Sequence, residues 1–141
     1  MRKMMRMGWL MLAAALLLAA CGSQPAPAAV GAAAPAVVNI SVADLKAQLD
    51  DKETLLLLDV RSTEEYANDG YVAGSVLIPL PELERRLRDL PTDRPIVCIC
   101  RSGNRSTTAC DLLTRQGFKQ LRNVQGGMIA WGQAGYPIER P

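Results

Sequence analysis

Histidine is absent from the whole 141-residue chain. That absence excludes every Cys–His pair and every Ser–His–Asp triad. Any cysteine chemistry must then be activated by electrostatics rather than by a neighbouring base. Cys-x-x-Cys pairs are also missing, and with no imidazole to complete four ligands the cysteines do not make a zinc site. No internal repeat is visible. The apolar run from Trp9 to Ala20 falls short of the roughly 20 residues a bilayer crossing takes. A surplus of basic charge is lacking as well. Arg2, Lys3 and Arg6 are three of the 16 basic residues, and without them 13 face 14 acidic ones. The formal charge of +2 therefore belongs to the N-terminal segment. It gives no reason to expect a nucleic-acid partner.

What is present at the N-terminus has an order to it. A basic cluster precedes the apolar run, as in the n- and h-regions of an export signal. The run ends in Leu18-Ala19-Ala20-Cys21-Gly22, which resembles the lipobox of bacterial lipoproteins. The resemblance implies a diacylglyceryl group on the Cys21 thiol, cleavage just before it and acylation of the new amine. Residues 1–20 then form the signal peptide. Ser23 to Ala36 is nearly all Ala, Pro, Gly and small polar residues, which cannot bury enough surface to fold. Residues 21–36 thus read as the lipidated cysteine and a flexible tether, and residues 37–141 as one domain. The expected location is periplasmic or otherwise extracytoplasmic, held to a membrane by lipid. Gly22, where an inner-membrane retention signal has Asp, points to the outer membrane in a two-membrane source.

Within the domain, strands and helices alternate. Val37 to Ile40 reads as a short strand, and Ser41 with Asp44 three residues on reads as a helix start. Leu55 to Val60 is a continuous apolar run, the pattern of a strand buried on both faces of a parallel sheet. Ser62-Thr63-Glu64-Glu65 repeats the capping pattern. Val76 to Leu80 predicts another strand. Pro81 then opens a helix whose buried stripe is Leu83, Leu87 and Leu90. Ile96 to Cys100 is the next apolar run, Ser106 to Gln116 a helix stopped by Gly117, Gln120 to Val124 a strand and Met128 to Gln133 a last helix. The class is α/β with a mainly parallel sheet.

The informative segment is Ile96-Val97-Cys98-Ile99-Cys100-Arg101-Ser102-Gly103-Asn104-Arg105-Ser106. A buried strand ends at Cys100, and a helix begins near Arg105 or Ser106. A loop of that length closing onto a helix N-terminus can turn several backbone N–H groups toward one point. Thiolates are favoured there. Arg101 and Arg105 add positive charge, and Gly103 permits the positive φ such a cradle needs.

At this point the sequence resembles the single-domain rhodanese (thiosulfate sulfurtransferase) family. The matching pieces are Leu58-Asp59-Val60-Arg61, Glu65-Tyr66 with Gly70 and Ala73-Gly74-Ser75, and the Cys100-to-Arg105 loop with Ser106. Gly117-Phe118, Gly126-Gly127-Met128-Ile129-Ala130-Trp131 and Gly135-Tyr136-Pro137-Ile138 follow in family order. The resemblance implies a three-layer fold with a parallel five-stranded sheet between helices, and no cofactor. It implies that Cys100 takes sulfur from a thiosulfate-like small molecule as a persulfide and passes it to a thiol or to cyanide. Arg101, Ser102, Gly103, Asn104 and Arg105 would bind the substrate, with Arg101 drawing in a sulfonate and Arg105 also suited to an ion pair that shapes the loop. Asp59 and Arg61 would brace the loop from the neighbouring strand. Met128 and Trp131 would lie near the pocket rim, although Trp131 suits the core equally. A monomer is expected. Where many members have His in a Gly-His-Ile-Pro-Gly-Ala segment, this chain has Tyr71.

Three further cysteines follow Cys21. Cys98, inside an apolar strand, and Cys110, on the Ala109, Leu112 and Leu113 helix face, read as small core residues. A resolving thiol at Cys98 is the alternative to that reading, but two residues apart on a strand is poor disulfide geometry. Two rival functions stand beside sulfur transfer. One is a phosphatase or arsenate reductase, whose Cys…Arg loops hold one residue more than this one. The other is a non-catalytic or persulfide-relay module serving a partner protein.

Overall fold

The centre of the molecule is set by its two most apolar segments. In the computed structural model, which describes residues 37–141, these are β2 (Leu56–Asp59) and β4 (Ile96–Ile99). They pair with each other in parallel, Leu58 opposite Cys98. On the far side of β4 lies β5 (Leu121–Val124), and beyond it β1 (Val38–Ile40) forms one edge. The other edge is β3 (Val76–Leu77), paired with β2. The five strands run β1-β5-β4-β2-β3, parallel in every ladder. The expected signal peptide, lipid site at Cys21 and tether lie outside the described residues.

Alternation along β4 divides the core in two. Ile96 and Cys98 face a cluster with Leu83, Ala109, Cys110 and Leu113, from α3 (Leu80–Leu83) and α4 (Asn104–Arg115). Val97 and Ile99 face a cluster with Leu45, Met128 and Trp131, from α1 (Val42–Asp50) and α5 (Gly127–Gln133). Both faces of β4 are therefore covered by helices, which is why its sequence is a continuous run rather than an alternating one. The remaining helix, α2 (Thr63–Asp69), follows β2. Both expected capping boxes form: Ser41 with Asp44 and Ser62 with Glu65 each satisfy two helix-end donors.

Two elements differ from the expectation. The 76–80 strand is only two residues long, an edge strand paired with β2 alone among the described residues. The expected helix after Pro81 is a four-residue α turn followed by a 3₁₀ segment, Glu84–Asp89, with Arg86 off helical geometry at φ −112°. Leu83, Leu87 and Leu90 still pack on the core. Leucines three and four apart reach one face in either kind of turn, so their spacing does not separate the two over so short a length.

Among the described residues no helix is long and apolar enough to cross a membrane. The carboxyl ends of β2, β4 and β5 bring the segments after Asp59, Ile99 and Val124 to one edge of the sheet, the edge where open α/β sheets carry their sites.

Candidate active site

Cys100 is the first residue beyond β4, and the loop that follows it folds around its sulfur. The Gly103 N–H donates to Cys100 Sγ at 3.1 Å, and the Ser106 hydroxyl lies 3.4 Å from the same atom. Gly103 has φ +103° and stands at the N-terminus of α4, so the first turn of that helix points its free N–H groups at the sulfur. Burial pushes the Cys100 thiol up. The Ser106 hydroxyl and the N–H groups of Ser106, Gly103 and Ser102 outweigh it, and the thiol is left below its ordinary value. The residue is only 1% exposed, so the sulfur is recessed inside its ring of donors.

A second layer fixes the Ser106 hydroxyl. Its oxygen is 2.6 Å from Asn123 Oδ1 and 3.0 Å from the Gly103 carbonyl. The Asn123 amide nitrogen in turn donates to Asn39 Oδ1 at 2.9 Å and to Thr107 Oγ1 at 3.1 Å. Ser106 and Asn123 are both buried. Such a network is tolerable inside a core because each polar atom finds a partner.

The loop backbone is clamped from the other side by α5. The Met128 N–H donates to the Cys100 carbonyl at 2.8 Å and the Ile129 N–H to the Arg101 carbonyl at 3.0 Å. Gly127, at φ +54°, makes that approach possible: a Cβ there would overlap the Cys100 carbonyl oxygen and stand 2.8 Å from Arg101 backbone atoms.

The arginines divide. Arg105 directs both terminal nitrogens to the carboxylate of Glu65, at 2.7 and 2.6 Å. Arg61 is buried with Asp59, bonded at 2.7 Å and through Nε, and it also reaches the Gly70 carbonyl at 2.8 Å. Among the described residues no hydrogen bond joins this pair to the cysteine loop. The pair shapes the turn into α2, from which Glu65 reaches across to Arg105. Arg101, Ser102 and Asn104 are exposed. Arg101 lines a cleft of about 230 Å³ with Arg61, Asp69, Met128, Ile129 and Ile138. Ser102, Gly103 and Asn104 line a separate polar hollow with Asn39, Thr107 and Asn123.

Trp131 is not at the cleft. It is 2% exposed, in the core, and its indole N–H donates to the Pro137 carbonyl at 2.9 Å. Tyr71 stacks on Tyr66 at 4.2 Å and pairs through its backbone with Glu139. Cys98 and Cys110 are fully buried. The Cys110 side chain beside Cys98, then burial, then the neighbouring thiols, hold the Cys98 thiol well above its ordinary value. The sequence places Ser106, Glu65 and Gly127 in matched motifs, with Glu65 also a helix cap, but gives none of them a role around the sulfur, and Asn123 none at all. A Ser directly after the loop arginine and a Gly-Gly pair opening a helix were visible signals; nothing in the sequence singled out Asn123.

The family described as Rhodanese-like domain matches residues 41–134. A sulfurtransferase of Allochromatium vinosum is 38% identical over 105 residues, 74% of this chain and 97% of that protein. YtwF, a sulfurtransferase-named protein of Bacillus subtilis, is 42% identical over 95 residues, 67% of this chain and 90% of that one. Among solved structures, a rhodanese-related protein of Thermoplasma volcanium superposes with TM-score 0.66 at 33% identity, covering 74% of this chain and 99% of its own. The chain belongs to the rhodanese-like domain family.

The Glu65–Arg105 pair gives a pH test of this geometry. The Arg105 hydrogen bond leads in lowering the Glu65 carboxyl from 4.5 to about 2, against the opposing push of burial. A depressed carboxyl contributes stability that is present above its unfolded value and is lost as pH falls through its folded value. Urea unfolding of Glu65→Gln should therefore show about 1–2 kcal/mol less stability at neutral pH, discounted for the exposure of Arg105. Its stability should also fall less than that of the unaltered protein between pH 4.5 and about 2. Parallel acid limbs would show that the pair contributes nothing.

Proposed function

We propose that this member of the rhodanese family is a sulfurtransferase in which Cys100 carries the sulfur. The observation that supports it most is the ring of N–H donors and one hydroxyl around Cys100 Sγ. In a chain without histidine this ring, rather than a neighbouring base, is what favours the thiolate. The family match and the sulfurtransferase names of its relatives support the reaction class.

In the first half-reaction the Cys100 thiolate attacks the outer sulfur of a thiosulfate-like donor. A new S–S bond forms at Sγ, the donor's S–S bond breaks, and sulfite leaves with the electron pair. The exposed Arg101 beside the loop is the cation that draws in the sulfonate end. In the second half-reaction an acceptor nucleophile, cyanide or a thiolate, attacks the terminal sulfur, and Cys100 leaves as the thiolate from which the cycle began. The donors that hold the thiolate also stabilise it as this leaving group. Arg105, spent on Glu65, acts by shaping the loop. Four residues between Cys100 and Arg105 favour a sulfur-sized cradle over one for a tetrahedral phosphate.

The N-terminal segment adds a second proposal, carried by sequence alone. Arg2, Lys3 and Arg6, the apolar run and the Leu18-to-Gly22 box support export and lipidation at Cys21, with the domain held on the extracytoplasmic face of a membrane. More than one acyl chain on Cys21 makes such attachment stable.

The soluble domain should form thiocyanate from thiosulfate and cyanide and hydrolyse an aryl phosphate negligibly; the opposite preference would place it with the phosphatases. Brief alkylation at pH 6–7 should label Cys100 first and stop turnover, and Cys100→Ser should remove activity with the fold intact. Cys98→Ala and Cys110→Ala should keep most activity and lose roughly 1–2 kcal/mol of stability as small core truncations. Loss of turnover in a folded Cys98→Ala protein would make Cys98 a resolving thiol instead.

For the N-terminus, Cys21→Ser should leave the precursor uncut and without lipid, read by mobility and by lipid labelling. Unchanged processing of that variant would remove the lipoprotein reading.

A further inference from the structure

The charges around the loop are mostly spent on one another. Arg61 is held by Asp59, and Arg105 by Glu65. Arg101 and Asp69 are different: both line the 230 Å³ cleft, and among the described residues neither forms an ion pair, with the other or elsewhere. Met128, the exposed Ile129 and Ile138 supply the cleft's apolar wall. The cleft adjoins the reactive sulfur's own backbone, since the Met128 and Ile129 N–H groups bind the Cys100 and Arg101 carbonyls. Arg61 also lines the cleft but is held by Asp59, so one unpaired cation, Arg101, and one unpaired anion, Asp69, face a single small hollow beside the loop. Its volume lies under the roughly 300 Å³ at which ligand clefts usually begin, so it suits a molecule of amino-acid size.

Building on the sulfur-transfer reading, we propose that this cleft binds the sulfur acceptor, and that the acceptor is a small zwitterionic thiol. Its carboxylate meets Arg101, its ammonium meets Asp69, and its carbon chain lies on Met128 and Ile129. A thiosulfate dianion gains from Arg101 and is opposed by Asp69, so Asp69 has no use in the first half-reaction and acts in the second. Once sulfite has left, Arg101 is released to take the acceptor's carboxylate. The acceptor thiolate then forms a bond to the terminal sulfur of the Cys100 persulfide. The bond from that sulfur to Sγ breaks, Cys100 keeps the electron pair as thiolate, and the product leaves as a persulfide of the amino thiol. No external oxidant or reductant enters. Asp69 is the specificity-determining residue, because it is the group that separates an amino thiol from a plain carboxylic thiol.

The test is single-turnover discharge of the thiosulfate-loaded domain to four probes: L-cysteine, 3-mercaptopropionate, cysteamine and cyanide. Thiol rates are corrected for thiolate fraction and taken relative to cyanide for the same protein. Cysteine should exceed both other thiols by about two- to fivefold, the factor one exposed ion pair supports. Asp69→Asn should erase its advantage over 3-mercaptopropionate, which lacks the ammonium. Arg101→Gln should erase its advantage over cysteamine, which lacks the carboxylate. Equal corrected rates for the three thiols, or an order unchanged by Asp69→Asn, would overturn the inference while leaving sulfur transfer standing. A domain that takes up no sulfur from thiosulfate would instead fail the sulfur-transfer reading, and this inference with it.

Discussion

The contact on which the site depends is the approach of the α5 N-terminus to the loop backbone. Gly127 lies so close to the Cys100 carbonyl that no side chain can stand there, and the next two N–H groups bond the Cys100 and Arg101 carbonyls. With its carbonyls held by α5, the loop keeps its N–H groups converged on Sγ. The thiolate environment is therefore a consequence of backbone geometry held from two helices, α4 supplying donors and α5 holding acceptors. The chain has no histidine and Arg105 is paired with Glu65, so the loop N–H groups and the Ser106 hydroxyl are the groups set directly against the sulfur.

Around that loop, ion pairs do structural work. Asp59 and Arg61 are buried together and define the turn into α2, and Glu65 on α2 both caps its helix and holds Arg105. Removing either member of the buried pair would strand a charge, a loss of roughly 3–5 kcal/mol. Two of the three nearby arginines are consequently unavailable to an anionic substrate. Among the described residues Arg101 and Asp69 are the charged groups of the neighbouring cleft that no ion pair engages.

Much of the fold was legible in the sequence. Leu55 to Val60 and Ile96 to Cys100 announced buried parallel strands because a strand covered on both faces has no reason to alternate. Ser41 with Asp44 and Ser62 with Glu65 announced helix starts because capping is local chemistry. The loop from Cys100 to Arg105 was legible as a cradle for the same reason. The segment after Pro81 was not, since leucine spacing fits α and 3₁₀ turns alike. Asn123 was also invisible: it lies 17 residues from Ser106 on another strand, and only the β4–β5 register brings it under the loop. Trp131 near a Gly-Gly motif fitted the rim or the core, and the structure places it in the core, its indole N–H on the Pro137 carbonyl. Local rules carry local structure; a contact made across the sheet has to be seen.

The account turns on whether Cys100 itself takes up the sulfur. Mass spectrometry of the domain after thiosulfate treatment, followed by peptide mapping under non-reducing conditions, addresses this without any assumption about the acceptor. The prediction is a gain of one sulfur atom confined to the peptide bearing Cys100 and lost on adding cyanide. A sulfur found on the Cys110 peptide, or retained in Cys100→Ser protein, would contradict it.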